Sequence, residues 1–322
     1  MTGARIAEDW IAAPATRAVM AALGGQAWFV GGCVRNALLG RTVTDIDLAT
    51  PLRPETVTAR LESAGLKAVP TGLDHGTVTA VADGHPFEIT TFRADVETDG
   101  RRAAVRFTTD MAEDAARRDF TINALYADSH GRVTDPIGGL ADLRAGRVRF
   151  IGAAAERIRE DYLRILRFFR FTAWYARRVD PESLAACAAH KDGMSGLARE
   201  RIGHETARLL AAPDPRAAVA AMARVSVLSV CLPGADHGAF DALVAREAEA
   251  GVCPDWRRRL ALLAPEAPAV DLLLDQRVAA GIGNVYKSEV LFLERLAPLP
   301  PLAALAAADL ERLFARARDL LR

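Results

Sequence analysis

The chain has 322 residues, of which 51% are apolar, so it is long enough for two or three compact units with a sizeable core. Its 41 basic and 41 acidic residues give a formal charge of zero, and a nucleic-acid partner therefore has to be argued from local patches. No basic-then-apolar leader and no run of about eighteen uncharged apolar residues occurs, which argues against a membrane protein and favours a soluble, cytoplasmic one.

The first predicted elements are a helix, a strand and a second helix. Residues 1–25 are alanine-rich and predict a helix that ends at Gly24-Gly25. Residues 28–30 predict a short buried strand, after which Gly31-Gly32 makes a turn into a helix that begins near Val34.

The following segments alternate before the sequence becomes helical. The pattern predicts a helix over 54–65, strands over 75–81 and 86–92, and a helix over 111–126. Beyond Arg157 the spacing of Ala, Leu and Arg is almost purely helical, with breaks at prolines. The four cysteines and six histidines are scattered, so neither a disulfide framework nor a zinc or His-based site is indicated.

Two acids one residue apart carry the strongest chemical signal. Strand periodicity points Asp45 and Asp47 to the same face, and paired carboxylates suit Mg²⁺, which leaves positions open for substrate phosphates. Just upstream, Gly31, Gly32 and Arg35 would form a phosphate cradle at a helix start. The alternatives are a simple tight turn and a solvated strand end, but the combination within about twenty residues favours phosphoryl chemistry.

Two further acids are candidates for the same site. Alternation places Glu88 on the strand face opposite Phe87 and Ile89, where it is either a third metal ligand or a solvated residue. Asp119 precedes an apolar helical stretch, where it either caps the helix or binds a sugar hydroxyl.

A run of charges near residue 160 predicts a helix face that mixes acids and arginines. Glu160, Arg164 and Arg167 are spaced i, i+4 and i+7, and Asp161 lies three residues before Arg164. This face is either an exposed helix with salt bridges or a surface that reads nucleobase edges through hydrogen bonds. Residues 147–178 contain nine Arg and three acids, the clearest positive stripe of the chain.

Five ordered motifs resemble the class II CCA-adding tRNA nucleotidyltransferases and bacterial poly(A) polymerases over about residues 25–265. The motifs are Gly31-Gly32-Cys33-Val34-Arg35, Asp45-x-Asp47, Arg117 to Leu125, Asp135 to Gly139, and Glu160-Asp161-x-x-Arg164-x-x-Arg167. The resemblance implies an α+β fold, with a polymerase-beta-like nucleotidyltransferase head (a mixed sheet with helices) and an all-helical neck, body and tail. The corresponding boundaries are 1–145, 146–210, 211–268 and 269–322.

The resemblance also implies an activity and its partners. Members use CTP and ATP without a nucleic-acid template, extend the 3′ end of tRNA and employ two Mg²⁺ ions. Carried over residue by residue, Asp45 and Asp47 are the catalytic metal ligands; Gly31, Gly32 and Arg35 bind the triphosphate; Arg118, Asp119 and Asn123 fall in the ribose motif; and Glu160, Asp161, Arg164 and Arg167 read the base. Asn36 stands where the family usually has Asp, which removes a charge but keeps shape and hydrogen bonding.

The C-terminal part resembles a different family. Residues about 270–322 are similar to the helix-two-turns-helix element of formamidopyrimidine-DNA glycosylase and endonuclease VIII, in which Asn284 and Lys287 would contact a nucleic-acid phosphate. The sequence opens Met-Thr-Gly, without that family's Pro-Glu nucleophile and acid, and shows no four-cysteine zinc finger. We therefore expect no glycosylase activity and interpret the chain as a chimera, the alternative being chance similarity in a helical tail.

Three hypotheses follow from the sequence. The first is a template-independent nucleotidyltransferase that adds C, A or both to tRNA, or forms poly(A). The second is a DNA-binding module, expected to bind weakly, with the head as passenger. The third is a catalytically inactive RNA-binding relic, or a chimera that folds without activity.

Overall fold

The computed structural model describes residues 4–72, 76–95, 105–231 and 304–320. The chain divides into two compact units, residues 1–153 and residues 154–322. The predicted boundary between head and neck, at residues 145 and 146, lies eight residues before this division. Asn284 and Lys287, and most of the predicted body and tail, lie outside the described residues.

The N-terminal unit begins with two short helices, α1 (Asp9–Ala12) and α2 (Pro14–Ala22). The prediction of one helix over the first 25 residues is therefore wrong. Pro14 lacks a backbone N–H and restricts the residue before it, so it begins a helix more readily than it continues one.

A mixed sheet forms the centre of this unit, and its order among the described residues is β3-β4-β5-β2-β1-β8-β9. Its strands are β1 (Trp28–Val30), β2 (Ile46–Thr50), β3 (Lys67–Gly72), β4 (Thr77–Ala82), β5 (His85–Thr91), β8 (Tyr126–Ala127) and β9 (Val133–Thr134). A separate antiparallel pair is formed by β6 (Arg93–Asp95) and β7 (Val105–Phe107). Strands β2 and β5 pair in parallel, and the other pairs of the sheet are antiparallel.

Four further helices complete the unit: α3 (Gly32–Leu38), α4 (Pro54–Ser63), α5 (Met111–Ala116) and α6 (Gly139–Ala145). The predicted helix over 54–65 and strands over 75–81 and 86–92 are confirmed within one or two residues wherever the structure describes them. Five strands, β3, β6, β7, β8 and β9, were not predicted, because each is short or lacks a clear alternation.

The predicted helix over 111–126 is wrong beyond Ala116. The chain leaves α5 there, makes a 3₁₀ turn at Thr121–Asn123 and enters β8 at Tyr126. Phe120 pairs with Phe150 in an isolated β-bridge, and Phe29 of β1 pairs with Ala127. These long-range pairings override the local helical pattern of the apolar residues.

The residues before α1 run along the outer edge of the sheet. The N–H of Ile6 donates to the carbonyl of Gly131 at 2.8 Å, and the N–H of Val133 donates to the carbonyl of Ala4 at 2.9 Å. A side chain at position 131 would lie 2.1 Å from the Ile6 carbonyl oxygen, so only glycine allows this approach.

The core beside β1 and β2 is apolar and closely packed. Val30, Ala49, Phe92 and Tyr126 are buried in one cluster, and the rings of Phe92 and Tyr126 meet edge to face at 6.2 Å. Burying each large side chain of this kind contributes about 1.5–3 kcal/mol. The cluster therefore fixes β1 and β2, the strand that carries Asp47, against the segment that follows α5.

The described part of the second unit is helical, which confirms the pattern predicted beyond Arg157. Its helices are α7 (Ala154–Glu160), α8 (Leu163–Tyr175), α9 (Pro181–His190), α10 (Arg199–Leu210), α11 (Arg216–Arg224), α12 (Val227–Cys231) and α13 (Ala307–Leu320). Helix α8 is amphipathic and buries its apolar face, including Ile165, Phe168 and Phe169. Across the described ranges of both units, no helix has the length and apolar character that crossing a bilayer requires.

Candidate functional site

Three carboxylates share one patch of the N-terminal unit. Asp47 on β2 is the register partner of Glu88 on the parallel strand β5, and Asp45 immediately precedes β2. Phe87 and Ile89 are buried while Glu88 is exposed, as strand alternation predicts. The structure thus brings Glu88 to the acidic pair that the sequence singled out.

The electrostatics of this patch are unfavourable when all three groups are ionised. The pKa of Asp47 is raised to about 6, first by burial and then by the negative charges of Glu88 and Asp45. The positive charge of Arg118 acts in the opposite direction. Among the described residues, no group of three or more His, Cys, Asp or Glu side chains is arranged so that it could hold a metal ion.

The turn before α3 presents its backbone next to Arg118. Gly31 has φ +71° and ψ −116°, a conformation that only glycine adopts readily, and its N–H donates to the carbonyl of Leu125 at 3.2 Å. A side chain at Gly31 would lie 3.6 Å from the Asn123 carbonyl oxygen and 3.8 Å from Nη1 of Arg118. Helix α3 begins at Gly32, two residues before the predicted start at Val34.

Arg35 is buried in α3 and is bonded within the protein. Its Nη1 donates to Oδ1 of Asn123, and Nδ2 of Asn123 donates in turn to Oδ1 of Asp119 at 3.0 Å. Its Nε and Nη2 donate to Oδ1 of Asn36 at 3.2 and 3.0 Å. Arg35 therefore connects α3 to the segment 119–123, which carries two of the residues predicted to bind the ribose.

Asp119 does not cap a helix, so that alternative for its role is wrong. Helix α5 has already ended at Ala116, and the residue that caps the 3₁₀ turn is Phe120, without a side-chain bond. Oδ1 of Asp119 instead accepts hydrogen bonds from the N–H of Phe120 at 2.9 Å and from Asn123. Its side chain stabilises the loop that follows α5.

The side-chain amide of Asn36 both accepts and donates hydrogen bonds. Its Oδ1 accepts the hydrogen bonds from Arg35, and its Nδ2 donates to the carbonyl of Thr42 at 3.1 Å. An ionised aspartate has no donor for the Thr42 carbonyl. Asparagine therefore ties the end of α3 to the loop before Asp45.

A buried hub that was not predicted from the sequence lies behind Arg118. The carboxylate of Asp114 on α5 accepts from Nε and Nη2 of Arg118 at 3.3 and 2.9 Å, from Nε of Arg117 at 3.0 Å, from the Tyr126 hydroxyl at 2.7 Å and from the N–H of Arg93 at 3.1 Å. Burial alone would raise the pKa of Asp114, but these neighbours hold it below its usual value. The i+3 and i+4 spacing of Arg117 and Arg118 was a local signal for this hub.

The charged residues near position 160 lie in the second unit and do not form one continuous helix. Glu160 is the last residue of α7, and α8 begins at Leu163, so the prediction of a single i, i+4, i+7 face is wrong in its helical geometry. The break is stabilised by Asp161, whose Oδ1 accepts from the N–H of Leu163 at 3.0 Å.

The contacts expected between these residues nevertheless form across the break. Nη1 of Arg164 donates to Oε2 of Glu160 and, at 2.8 Å, to the carbonyl of Arg157. Nη2 of Arg201 on α10 bonds Oδ2 of Asp161 at 2.8 Å. Arg167 lies over the ring of Phe171, with its guanidinium carbon 5.4 Å from the ring centre. Salt bridges are therefore present here, as expected from the alternative that this segment is an exposed helix with salt bridges.

Three family models match the sequence in chain order. Residues 27–149 match the poly A polymerase head domain, residues 178–238 match a probable RNA- and SrmB-binding site of polymerase A, and residues 263–322 match the formamidopyrimidine-DNA glycosylase H2TH domain. The chain is 46% identical over 187 residues to human mitochondrial CCA tRNA nucleotidyltransferase 1, covering 56% of this chain and 42% of that protein. It is 42% identical over 201 residues to the CCA-adding enzyme of Streptococcus pyogenes, covering 62% of this chain and 49% of that protein.

The regions that the poly A polymerase head model and the RNA-binding model match, residues 27–149 and 178–238, are thus similar to CCA-adding enzymes and poly(A) polymerases. The chain spans about half the length, or less, of the curated relatives it matches. The second resemblance is also confirmed, because the H2TH model matches from residue 263 and so leaves chance similarity without support.

Two solved structures of tRNA-processing nucleotidyltransferases have a similar fold. The CCA-adding enzyme of Bacillus stearothermophilus in complex with CTP superposes with a TM-score of 0.69 at 27% identity, covering 96% of this chain and 78% of that one. A tRNA nucleotidyltransferase complexed with a primer tRNA and an incoming ATP analog has a TM-score of 0.64 at 20% identity, covering 94% of each chain, which supports the fold alone. The predicted fold class, a polymerase-beta-like α+β head followed by helices, is confirmed for the residues that the structure describes.

Proposed function

We propose that this chain is a template-independent tRNA nucleotidyltransferase that adds C, A or both to the tRNA 3′ end from CTP and ATP. The observation that carries the proposal is the pairing of Asp47 with Glu88, beside Asp45, in a unit whose Gly31 turn faces Nη1 of Arg118. Enzymes that transfer phosphoryl groups use carboxylates, which bind metal ions, next to hydrogen-bond donors that bind phosphate. The named relatives are CCA-adding enzymes, which supports this chemistry.

The three carboxylates are not arranged as a metal site on their own, and a divalent cation would need substrate phosphate oxygens beside them. Three carboxylates with a raised Asp47 pKa form a site that gains stability when positive charge enters it. Asp45 and Asp47 would hold two Mg²⁺ ions, with Glu88 as an additional ligand, and substrate phosphates would complete the coordination. When bound, Mg²⁺ lowers the pKa of the attacking 3′-hydroxyl and neutralises charge on the departing pyrophosphate.

The other predicted site residues of the first unit bind and orient the nucleotide. Gly31 and Gly32 let the backbone approach the triphosphate. Arg118, which the resemblance assigned to the ribose motif, lies beside Gly31 and supplies a positive charge to the triphosphate instead. Arg35 acts through Asn123, which it holds next to Asp119 in the ribose motif. Its role in triphosphate binding is thus indirect in this proposal, since its guanidinium already bonds Asn123 and Asn36.

The second unit would choose the base. Glu160 and Asp161 can accept from an exocyclic amine, and Arg164 can donate to a ring nitrogen or carbonyl, while Arg167 extends the positive surface. The ion pairs of Arg164 with Glu160 and of Asp161 with Arg201 hold these groups in fixed orientations. A mismatched buried donor or acceptor costs about 1–3 kcal/mol, enough to separate C from A.

Two observations favour alternative functions, which the experiment must also test. The head model is named for poly A polymerase, which favours a poly(A)-forming activity as the second candidate. The H2TH match favours DNA binding by the C-terminal segment, in which Asn284 and Lys287 would contact phosphate. The bacterial relatives favour a cytoplasmic location, and the mitochondrial relatives favour the mitochondrion as the alternative.

The deciding experiment is an incorporation assay with the full chain. Labelled CTP or ATP is incubated with Mg²⁺ and tRNA that lacks its 3′ end, and the added residues are counted on a sequencing gel. Addition limited to C, A or CCA supports the proposal, and long A tracts support the poly(A) alternative. No addition of either nucleotide, with retention of damaged duplex DNA in a parallel binding assay, would overturn it in favour of the DNA-binding module.

A further inference from the structure

A buried carboxylate outside the acidic patch holds Arg118 in place. The side chain of Asp114 is 1% exposed and those of Arg117 and Arg118 are 18% and 19% exposed. A buried charge of this kind is strongly destabilising unless it is paired and hydrogen-bonded. Asp114 satisfies this requirement through both arginines, the Tyr126 hydroxyl and the N–H of Arg93.

The bonds of Arg118 leave one end of its guanidinium for another partner. Its Nε donates to Asp114 and to the Tyr126 hydroxyl at 3.1 Å, and its Nη2 donates to Asp114. The guanidinium carbon also lies 5.4 Å from the centre of the Tyr126 ring. Within the described ranges Nη1 donates no hydrogen bond, and it is the side-chain atom nearest to the space beside Gly31.

The fold makes this arrangement rigid. Asp114 and Arg118 are four residues apart, at α5 and just beyond its end, while Tyr126 is fully buried in β8 next to β1. The hydroxyl of Tyr126 therefore approaches Asp114 from a different element than Arg118 does. Two elements thus fix the direction in which Nη1 points.

We propose that Asp114, with Tyr126, is a positioning residue of the nucleotide site, which fixes two nitrogens of Arg118 so that Nη1 meets phosphate oxygens of a nucleoside triphosphate at the Gly31 turn. This inference rests on the proposed function for the identity of the ligand. A guanidinium held by a carboxylate and an aromatic ring loses little freedom when it binds phosphate. Removing the Asp114 carboxylate or the Tyr126 hydroxyl should therefore weaken nucleotide binding, although neither group contacts the nucleotide.

The test measures CTP binding by calorimetry in the absence of tRNA, with the full chain. Asp114→Asn and Tyr126→Phe should each raise the Kd for CTP about tenfold, and Arg118→Ala should raise it about tenfold or more. In the Arg118→Ala background, Asp114→Asn should add less than about twofold, because the group through which it acts is gone. A merely structural role for Asp114 predicts no such dependence on Arg118.

Matched variants separate positioning from lost stability. Val57→Ala removes a buried methyl pair on α4, away from the hub, and should lower the unfolding temperature while leaving the Kd for CTP unchanged. If Asp114→Asn fails to fold, Tyr126→Phe carries the test, because it keeps the buried ring and removes only the hydroxyl. Steady-state turnover should show a raised KM with a nearly unchanged kcat.

The outcomes distinguish this inference from the proposed function. Normal CTP binding by Asp114→Asn and Tyr126→Phe, or full additivity with Arg118→Ala, would overturn the positioning role even if tRNA is extended. A second outcome is that CTP binding depends on Asp114 through Arg118 while the unmutated chain does not extend tRNA. This outcome would support the positioning role and contradict the proposed function. Failure of the unmutated chain to bind CTP would overturn both.

Discussion

Glu88 stands directly beside Asp47, one strand away in the parallel pair of β2 and β5. Neither residue lies near the other in sequence, and the crossover through α4, β3 and β4 separates them. Their proximity raises the pKa of Asp47 and makes the patch a place where a cation is stabilising.

Asp47→Asn should abolish nucleotide incorporation and leave the fold intact. The change removes a proposed metal ligand, which is worth several kcal/mol, so a loss on the order of 10³-fold or more is expected. Because it also removes a repelling charge, the unfolding temperature without divalent ions should stay the same or rise. The assay is incorporation of labelled CTP, and Glu62→Gln, an exposed acid on α4, is the control. Near-normal turnover by Asp47→Asn would refute the metal assignment, as would full activity in EDTA.

Arg164→Ala should change the choice between C and A more than it changes triphosphate binding. Its guanidinium is held by Glu160 and by the Arg157 carbonyl, and losing a positioned donor costs about 1–3 kcal/mol of discrimination. Competition between CTP and ATP in the tRNA assay should shift by about tenfold. Arg216→Ala, on α11 in the same unit, is a control that removes an exposed ion pair with Asp214. An unchanged ratio of C to A would count against base reading by Arg164.

Acid should weaken the unmutated protein more than it weakens Asp114→Asn. The pKa of folded Asp114 lies below its usual 3.8, so its ionised form stabilises the fold above that pH, and this contribution is lost as pH falls through the folded pKa. The difference in unfolding free energy between the two proteins should be constant from about pH 5 to 7 and shrink below about pH 4. Urea titrations across this range measure it. A difference that persists unchanged at about pH 3 would contradict the depressed pKa.

Asn36→Asp should keep incorporation within a few-fold. The carboxylate strengthens the bond to Arg35 but loses the donor to the Thr42 carbonyl, and these effects oppose each other within about 1 kcal/mol. Asn36→Ala removes both bonds and should lower the unfolding free energy by about 1–3 kcal/mol. Denaturant unfolding together with the tRNA assay compares the two variants. Loss of activity in Asn36→Asp alone would mean that the charge, not the shape, matters at this position.

The local part of the site could be predicted from the sequence. The Gly31-Gly32 turn, the alternation that places Asp45 and Asp47 together and the outward direction of Glu88 all follow from short-range periodicity. Periodicity does not predict which residue each of these side chains contacts. Arg35 was expected to face a phosphate, and the structure engages it with Asn123, far away in sequence.

The hub at Asp114 shows why the rest was missed. Its spacing to Arg117 and Arg118 was visible, but the same spacing also describes an ordinary exposed helix pair. Only the β8 strand, which ends the expected helix early, brings the Tyr126 hydroxyl to the carboxylate. The break after Glu160 was missed for a related reason, because helical spacing continues on both sides of it.

The pairing of residues 4–6 with residues 131–133 has a practical consequence for shortened versions of the chain. These residues cover the β9 margin, where unpaired N–H and C=O groups would otherwise invite another strand. A fragment that starts after Ile6 would expose this margin and should self-associate by strand addition. Dimers seen with such a fragment would then be a product of truncation rather than of the intact molecule.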